Sequence, residues 1–115
     1  MKMLHVTIQT KYFQEEMEFF LKHVGLTIER DMRPFGRNMV FLSNAVGETC
    51  IEIIENDKED AGNPNLSVGF LTEDLEKKRE ELIADGYEPT PMINPAPNVM
   101  FFFVKDPAGV NIQFM

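Results

Sequence analysis

Glu52 is the residue whose setting most invites a chemical explanation. It lies in the run Cys50-Ile51-Glu52-Ile53-Ile54. A carboxylate among so many isoleucines is costly to bury unless a hydrogen bond or a cation satisfies it. The simplest partners are His5, in Leu4-His5-Val6-Thr7-Ile8, and the amide of Gln113, in Asn111-Ile112-Gln113-Phe114. A lone histidine on a strand is more often a hydrogen-bonded structural residue, and because clustered titratable groups often mark functional sites, site lining stands level with that reading for His5. Cys50 shares a strand face with Glu52. A thiol becomes a nucleophile only where something lowers its pKa, and no nearby residue offers that, so Cys50 reads as buried and inert. Gln113 is a donor to Glu52, a ligand contact or polar lining. Ser67 is small and leaves room.

These residues need elements to position them. Leu4 to Gln9 alternates polar and apolar, as a half-buried strand does. Tyr12 to Val24 carries Phe13, Met17, Phe20, Leu21 and Val24 at helical spacing, and Gly25 stops it. His23 sits in its last turn as a helix-end cation. Three strands follow at Leu26 to Arg33, Asn38 to Ser43 and Thr49 to Glu55, then the acidic connector Asn56 to Asn65. The order then recurs. Leu66 to Thr72 is a strand. Glu73 to Asp85 is a helix with Leu75, Leu82 and Ile83 on its apolar side, ended by Gly86. Strands at Tyr87 to Met92, Asn98 to Val104 and Val110 to Met115 complete it, with a proline-rich loop after the first of them.

The recurrence is visible in the residues. HVTIQT (from residue 5) and SVGFLT (from 67) are 62 residues apart, and Gly25 and Gly86 are 61 apart. NMVFLS (from 38) and NVMFFF (from 98) are 60 apart, and CIEII (from 50) and NIQFM (from 111) are 61 apart. The reading is an α+β fold of one domain over residues 1–115, with two βαβββ repeats at about 1–56 and 65–115. It predicts a curved eight-stranded mixed sheet around a cleft. Leu4, Val6 and Ile8, and Leu66, Val68 and Phe70, go under the helices. The repeat pairs His5 with Ser67 and Glu52 with Gln113, all on the opposite, cleft-facing side. With Thr7, Cys50 and Asn111 they form the expected ligand-binding lining: His5, Thr7, Cys50, Glu52, Ser67, Asn111 and Gln113, with Gln9 as a further neutral hydrogen-bonding group.

Composition limits the partners. A net charge of −8 opposes nucleic acid and anionic membrane surfaces. The longest apolar run, Val99 to Val104, is far too short to span a bilayer. The N-terminal stretch MKMLHVTIQT has no signal-peptide core, so a cytoplasmic protein is expected. One cysteine gives neither an internal disulfide nor a zinc-type cluster. Arg30, Arg33 and Arg37 surround the first hairpin, as a clasp for an anionic substrate or, the reading taken, a solvated face. The connector ENDKEDAGN lacks calcium-loop spacing. EPTPMINPAPN reads as a stiff loop near the cleft mouth.

The ordered set LHVTI, HVGL, IEI, VGFLTEDLEKKREEL and DPAGVNIQF resembles the glyoxalase / bleomycin-resistance / extradiol-dioxygenase superfamily, the vicinal oxygen chelate proteins, over essentially the whole chain. In metal-using members each repeat gives one ligand from its first strand and one from its last. Carried over, those places are His5, Glu52, Ser67 and Gln113. Ser67 stands where many members have histidine, and Gln113 where many have glutamate. Iron oxygenase chemistry wants two imidazoles and a carboxylate. Glyoxalase-type proton transfer wants a carboxylate base that an amide does not replace. The resemblance therefore implies a metal-independent small-molecule-binding protein acting as a homodimer. Its rival is a lyase, isomerase or dioxygenase holding Zn, Ni, Mn or Fe weakly on His5, Glu52 and Gln113. A dimerisation or regulatory module without ligand is the third reading.

Overall fold

A computed structural model of the protein describes residues 1–58 and 65–115. Part of the stretch read as an acidic connector therefore lies outside the described residues. The chain divides into two compact units, Met1–Ala61 and Gly62–Met115.

The first unit runs β1 (His5–Thr10), α1 (Phe13–Phe19), β2 (Thr27–Asp31), β3 (Met39–Ser43) and β4 (Cys50–Glu55). Its sheet has the order β1-β4-β3-β2, with β1 parallel to β4 and the other pairs antiparallel. Helix α1 packs on β1 and β4. The core holds Ile8, Phe13, Met17, Val40, Leu42 and Ile53, so the apolar alternation of β1, β3 and β4 faces inward. Leu4 precedes the strand and is exposed, contrary to its expected place under the helix.

The helix expected over Tyr12 to Val24 is α-helical only to Phe19. Residues Phe20–Val24 form a wider π-helical turn. Neighbouring Phe19 and Phe20 are both buried, at 1% and 0% exposure. A regular 3.6-residue turn would set adjacent side chains about 100° apart, and the wider turn lets both enter the core. Gly25, at φ 79°, closes the turn through its N–H to the Phe20 carbonyl. His23, expected as a helix-end cation, is not at the surface. It is buried, with its ring 5.4 Å from that of Phe19.

The second unit runs β5 (Ser67–Phe70), α2 (Leu75–Ala84), β6 (Ile93–Ala96), β7 (Val99–Lys105) and β8 (Asn111–Phe114). Its order, β5-β8-β7-β6, repeats that of the first, again with the outer pair β5 and β8 parallel. Asp74 caps α2 by accepting from the Lys77 N–H at 3.0 Å. Leu82 is fully buried, whereas Ile83, expected beside it, is half exposed, as is Leu66. Phe102 stacks on Phe114 at 5.5 Å in a core completed by Val104, Val110 and Ile112.

The strand expected at Tyr87 to Met92 is not there. β6 lies on Ile93–Ala96, inside the stretch read as a loop. Pro89 and Pro91 each lack a backbone N–H, which leaves the earlier segment too few donors for a continuous ladder. Thr90 between them still pairs with β7: its N–H donates to the Phe103 carbonyl at 2.8 Å, and its hydroxyl accepts from the Phe103 N–H at 3.0 Å.

Candidate functional site

Strand register builds a cross-strand row in each unit. In the first, Thr7 lies opposite Glu52, Glu52 opposite Phe41, and Phe41 opposite Arg30. In the second, Gly69 lies opposite Gln113 and Gln113 opposite Phe103, beside Thr90. Glu52 and Gln113 thus hold the same place in their sheets, on the face away from the buried core, as the repeat predicts. Phe41 corresponds to Phe103, 62 residues on (41 to 103), not to Phe101 as NMVFLS and NVMFFF suggest. The two-residue slip preserves which face each side chain occupies. By the same parity Phe102 belongs to the core, while Met39 and Phe41 stand on the open face.

Glu52 finds its partners within its own unit. The Thr7 hydroxyl donates to Glu52 Oε1 at 2.6 Å, and His5 Nε2 lies 3.5 Å from the same oxygen. The side chains are unequally covered, His5 being 40% exposed and Glu52 10%. A carboxylate desolvated to that degree needs these contacts. His5 was the anticipated partner, and Thr7, expected only as lining, is the closer one. A parallel β1–β4 pairing could have pointed to it, since the period of two places both on one face. The His5 ring meets Phe41 edge-on at 5.8 Å, and the Arg30 guanidinium lies over that phenyl ring at 5.7 Å. Such a cation over an aromatic face is a favourable contact. Phe41 and Arg30 therefore belong to this surface, whereas Arg33 chelates Asp31 through contacts of 2.9 and 2.7 Å.

The other expected residues separate. Cys50 is buried, and its thiol donates to Glu29 Oε2 at 3.1 Å. Burial, then the Glu29 carboxylate, pushes its pKa up to about 11, the reverse of what a nucleophile requires. Gln9 accepts from Asn56 Nδ2 at 2.9 Å, tying it to the start of the connector. Ser67 is exposed at the head of β5. Asn111 donates weakly to the Leu66 carbonyl at 3.4 Å. The place of Thr7 is taken by Gly69, so Gln113 has no hydroxyl across the strand pair. Gln113 itself is held by the turn before β8. There the buried Asp106 carboxylate accepts from the Ala108 and Val110 N–H groups at 3.1 and 2.8 Å, and Gly109 adopts φ 84°.

A divalent cofactor fits this donor set poorly. Catalytic zinc takes three protein ligands as a rule. The first unit offers one imidazole and one carboxylate, and the Thr7 proton already lies on that carboxylate. The second offers a hydroxyl and an amide at the matching positions. Among the described residues no three of His, Cys, Asp or Glu converge on a point.

Two βαβββ repeats, each a four-stranded mixed sheet with one α-helix between its first two strands, define the class of fold. A profile of the Glyoxalase/Bleomycin resistance protein/Dioxygenase superfamily matches residues 2–114, and the chain belongs to that superfamily. The fold is similar to that of a possible glyoxalase from Bacillus cereus, at 22% identity and a TM-score of 0.78, covering 100% of this chain and 98% of that one. It is similar to the trypanothione-dependent glyoxalase I of Leishmania major, at 19% identity and 0.75, covering 100% and 86%. It is equally similar to an antibiotic-binding protein from Streptomyces sp. CB03234, at 14% identity and 0.75, covering 99% and 93%. No curated protein matches the chain in sequence.

Proposed function

We propose that the protein binds a small organic molecule on the open sheet face around His5, Thr7, Glu52 and Phe41, without a catalytic metal. One observation carries the reading: the Thr7 hydroxyl and the His5 imidazole satisfy Glu52, so the carboxylate needs no cation. The surface otherwise offers neutral hydrogen-bonding groups, an aromatic ring and the Arg30 guanidinium, a lining suited to a molecule of mixed polarity. The likeness to an antibiotic-binding protein supports a binding role within this superfamily. The test is a melting-temperature screen against metabolites and antibiotics in excess EDTA. A rise that persists in EDTA and disappears in Phe41→Ala supports binding, and a rise abolished by EDTA contradicts the metal-independent reading.

The convergence of His5 and Glu52 favours one alternative, a metal-dependent lyase, isomerase or dioxygenase using both as ligands. Pairing of chains into a homodimer also belongs to the proposal, and a monomeric mass in solution at micromolar concentration would contradict it. Among the described residues no helix is long and apolar enough to cross a membrane.

A further inference from the structure

The two repeats differ at one end of the same sheet face. In the first unit that end is closed. Cys50 donates to Glu29, and Glu29 also accepts from the Gly47 N–H at 2.9 Å. Ser43 is buried beside them. In the second unit, register puts Asn111 at the place of Cys50, since His5 lies opposite Cys50 and Ser67 opposite Asn111. Lys105 is opposite Asn111 and takes the place of Ser43. Here the end is open. A cavity of about 460 Å³ is lined by Tyr87, Glu88, Thr90, Phe103, Lys105 and Asn111, with Gly86 and Val104 behind them. That volume lies within the range of small-molecule sites.

The lining has a specific chemistry. Phe103 and Tyr87 supply aromatic surface. Lys105 and Glu88 supply opposite charges, and neither makes an ion pair among the described residues. The Thr90 hydroxyl is engaged, donating to the Pro91 carbonyl and accepting from the Phe103 N–H. Beside the Asn111 amide, which donates weakly to the Leu66 carbonyl, the charged groups and the rings are what the cavity offers a ligand. An anion alone would meet the Glu88 carboxylate as well as the Lys105 ammonium, and a cation alone the reverse. A molecule carrying both charges on an aromatic body complements both. We propose that this cavity in the second repeat is a binding site for an aromatic zwitterion of amino-acid type. Its acid group faces Lys105, its ammonium faces Glu88 and its ring lies against Phe103. All of the residues lining this cavity belong to the second repeat.

The test uses the full chain, labelled with 15N, and three probes that share the phenyl ring and its two-carbon arm and differ in which charged groups they carry: L-phenylalanine, 3-phenylpropionate and phenethylamine. Titration should move the amide resonances of Thr90, Phe103, Lys105 and Asn111, with L-phenylalanine binding most tightly. Lys105→Gln and Glu88→Gln change exposed side chains and should leave the melting temperature in place. Each should weaken L-phenylalanine roughly fivefold, the scale of a contact between exposed charges, and reduce its advantage over the singly charged probe that lacks the same charge. Equal binding of all three probes would overturn the proposal. So would no binding, or shifts centred on His5 and Glu52 instead. Metal content and ligand response at Glu52 do not enter this experiment, so its failure leaves the reading of the first repeat standing.

Discussion

Thr7 and Glu52 face each other across the parallel β1–β4 pair, and the threonine hydroxyl donates to the carboxylate at 2.6 Å. The second repeat keeps the register but has Gly69 and Gln113 at those places. One repeat thus holds a charged, internally satisfied group where the other holds a neutral amide. Thr7→Val should leave Glu52 with His5 as its remaining partner and lower stability by about 1–3 kcal/mol. Urea unfolding measures this. A double-mutant cycle with Glu52→Gln should give a coupling energy well above the error of the method, and additive effects would mean that the contact contributes nothing.

Gly69 can be converted to the counterpart of Thr7. A Cβ built there lies 3.5 Å from Gln113 Oε1, an ordinary contact, and the backbone is not left-handed. Gly69→Thr should therefore fold, with stability unchanged or raised by up to about 1 kcal/mol, because glycine is a poor strand residue. Adding Gln113→Glu should restore a threonine–carboxylate pair in the second repeat. A large fall in melting temperature for Gly69→Thr alone would show that the strand pair is tighter than described.

Cys50 should resist alkylation at pH 8, because burial and then the Glu29 carboxylate raise its pKa from 9.0 to about 11. Its contribution to stability is present below about pH 9 and is lost as the pH rises through about 11, since the folded state holds the proton more tightly than the unfolded one. Glu29→Gln removes the charge that opposes the thiolate and should speed iodoacetamide modification. Unchanged rates would remove Glu29 from the account.

Asp106 organises the turn that delivers Gln113, its carboxylate serving two backbone N–H groups. Asp106→Ala leaves those buried donors without that acceptor and should cost about 1–3 kcal/mol. The loss should appear as faster hydrogen exchange at Ala108 and Val110. Protection equal to wild type would contradict this role.

The internal repeat made the order of elements readable, because Gly25 and Gly86 end both helices and each strand alternates with period two. The pairing of Glu52 with Gln113 followed from that order, and the fold carries it. Local similarity misled at NMVFLS and NVMFFF, where phenylalanine runs align in either of two registers and only sheet pairing chooses Phe103. It misled again around Tyr87 to Met92, where proline chemistry overrode the repeat. The π-helical turn was invisible because Phe19 and Phe20 together satisfy no single helical stripe. Thr7 as the closest partner of Glu52 depends on the parallel register of β1 and β4, which strand patterns alone do not encode. The cavity beside Lys105 depends likewise on where the edge strand begins.

The most direct test of the central claim is the metal content of protein purified without a histidine tag or chelator, measured by elemental analysis for wild type and Glu52→Ala. Metal-independent binding predicts Zn, Ni, Mn and Fe well below one equivalent per chain in both. About one equivalent in wild type, lost in Glu52→Ala, would contradict it and make His5 and Glu52 ligands of a metal centre.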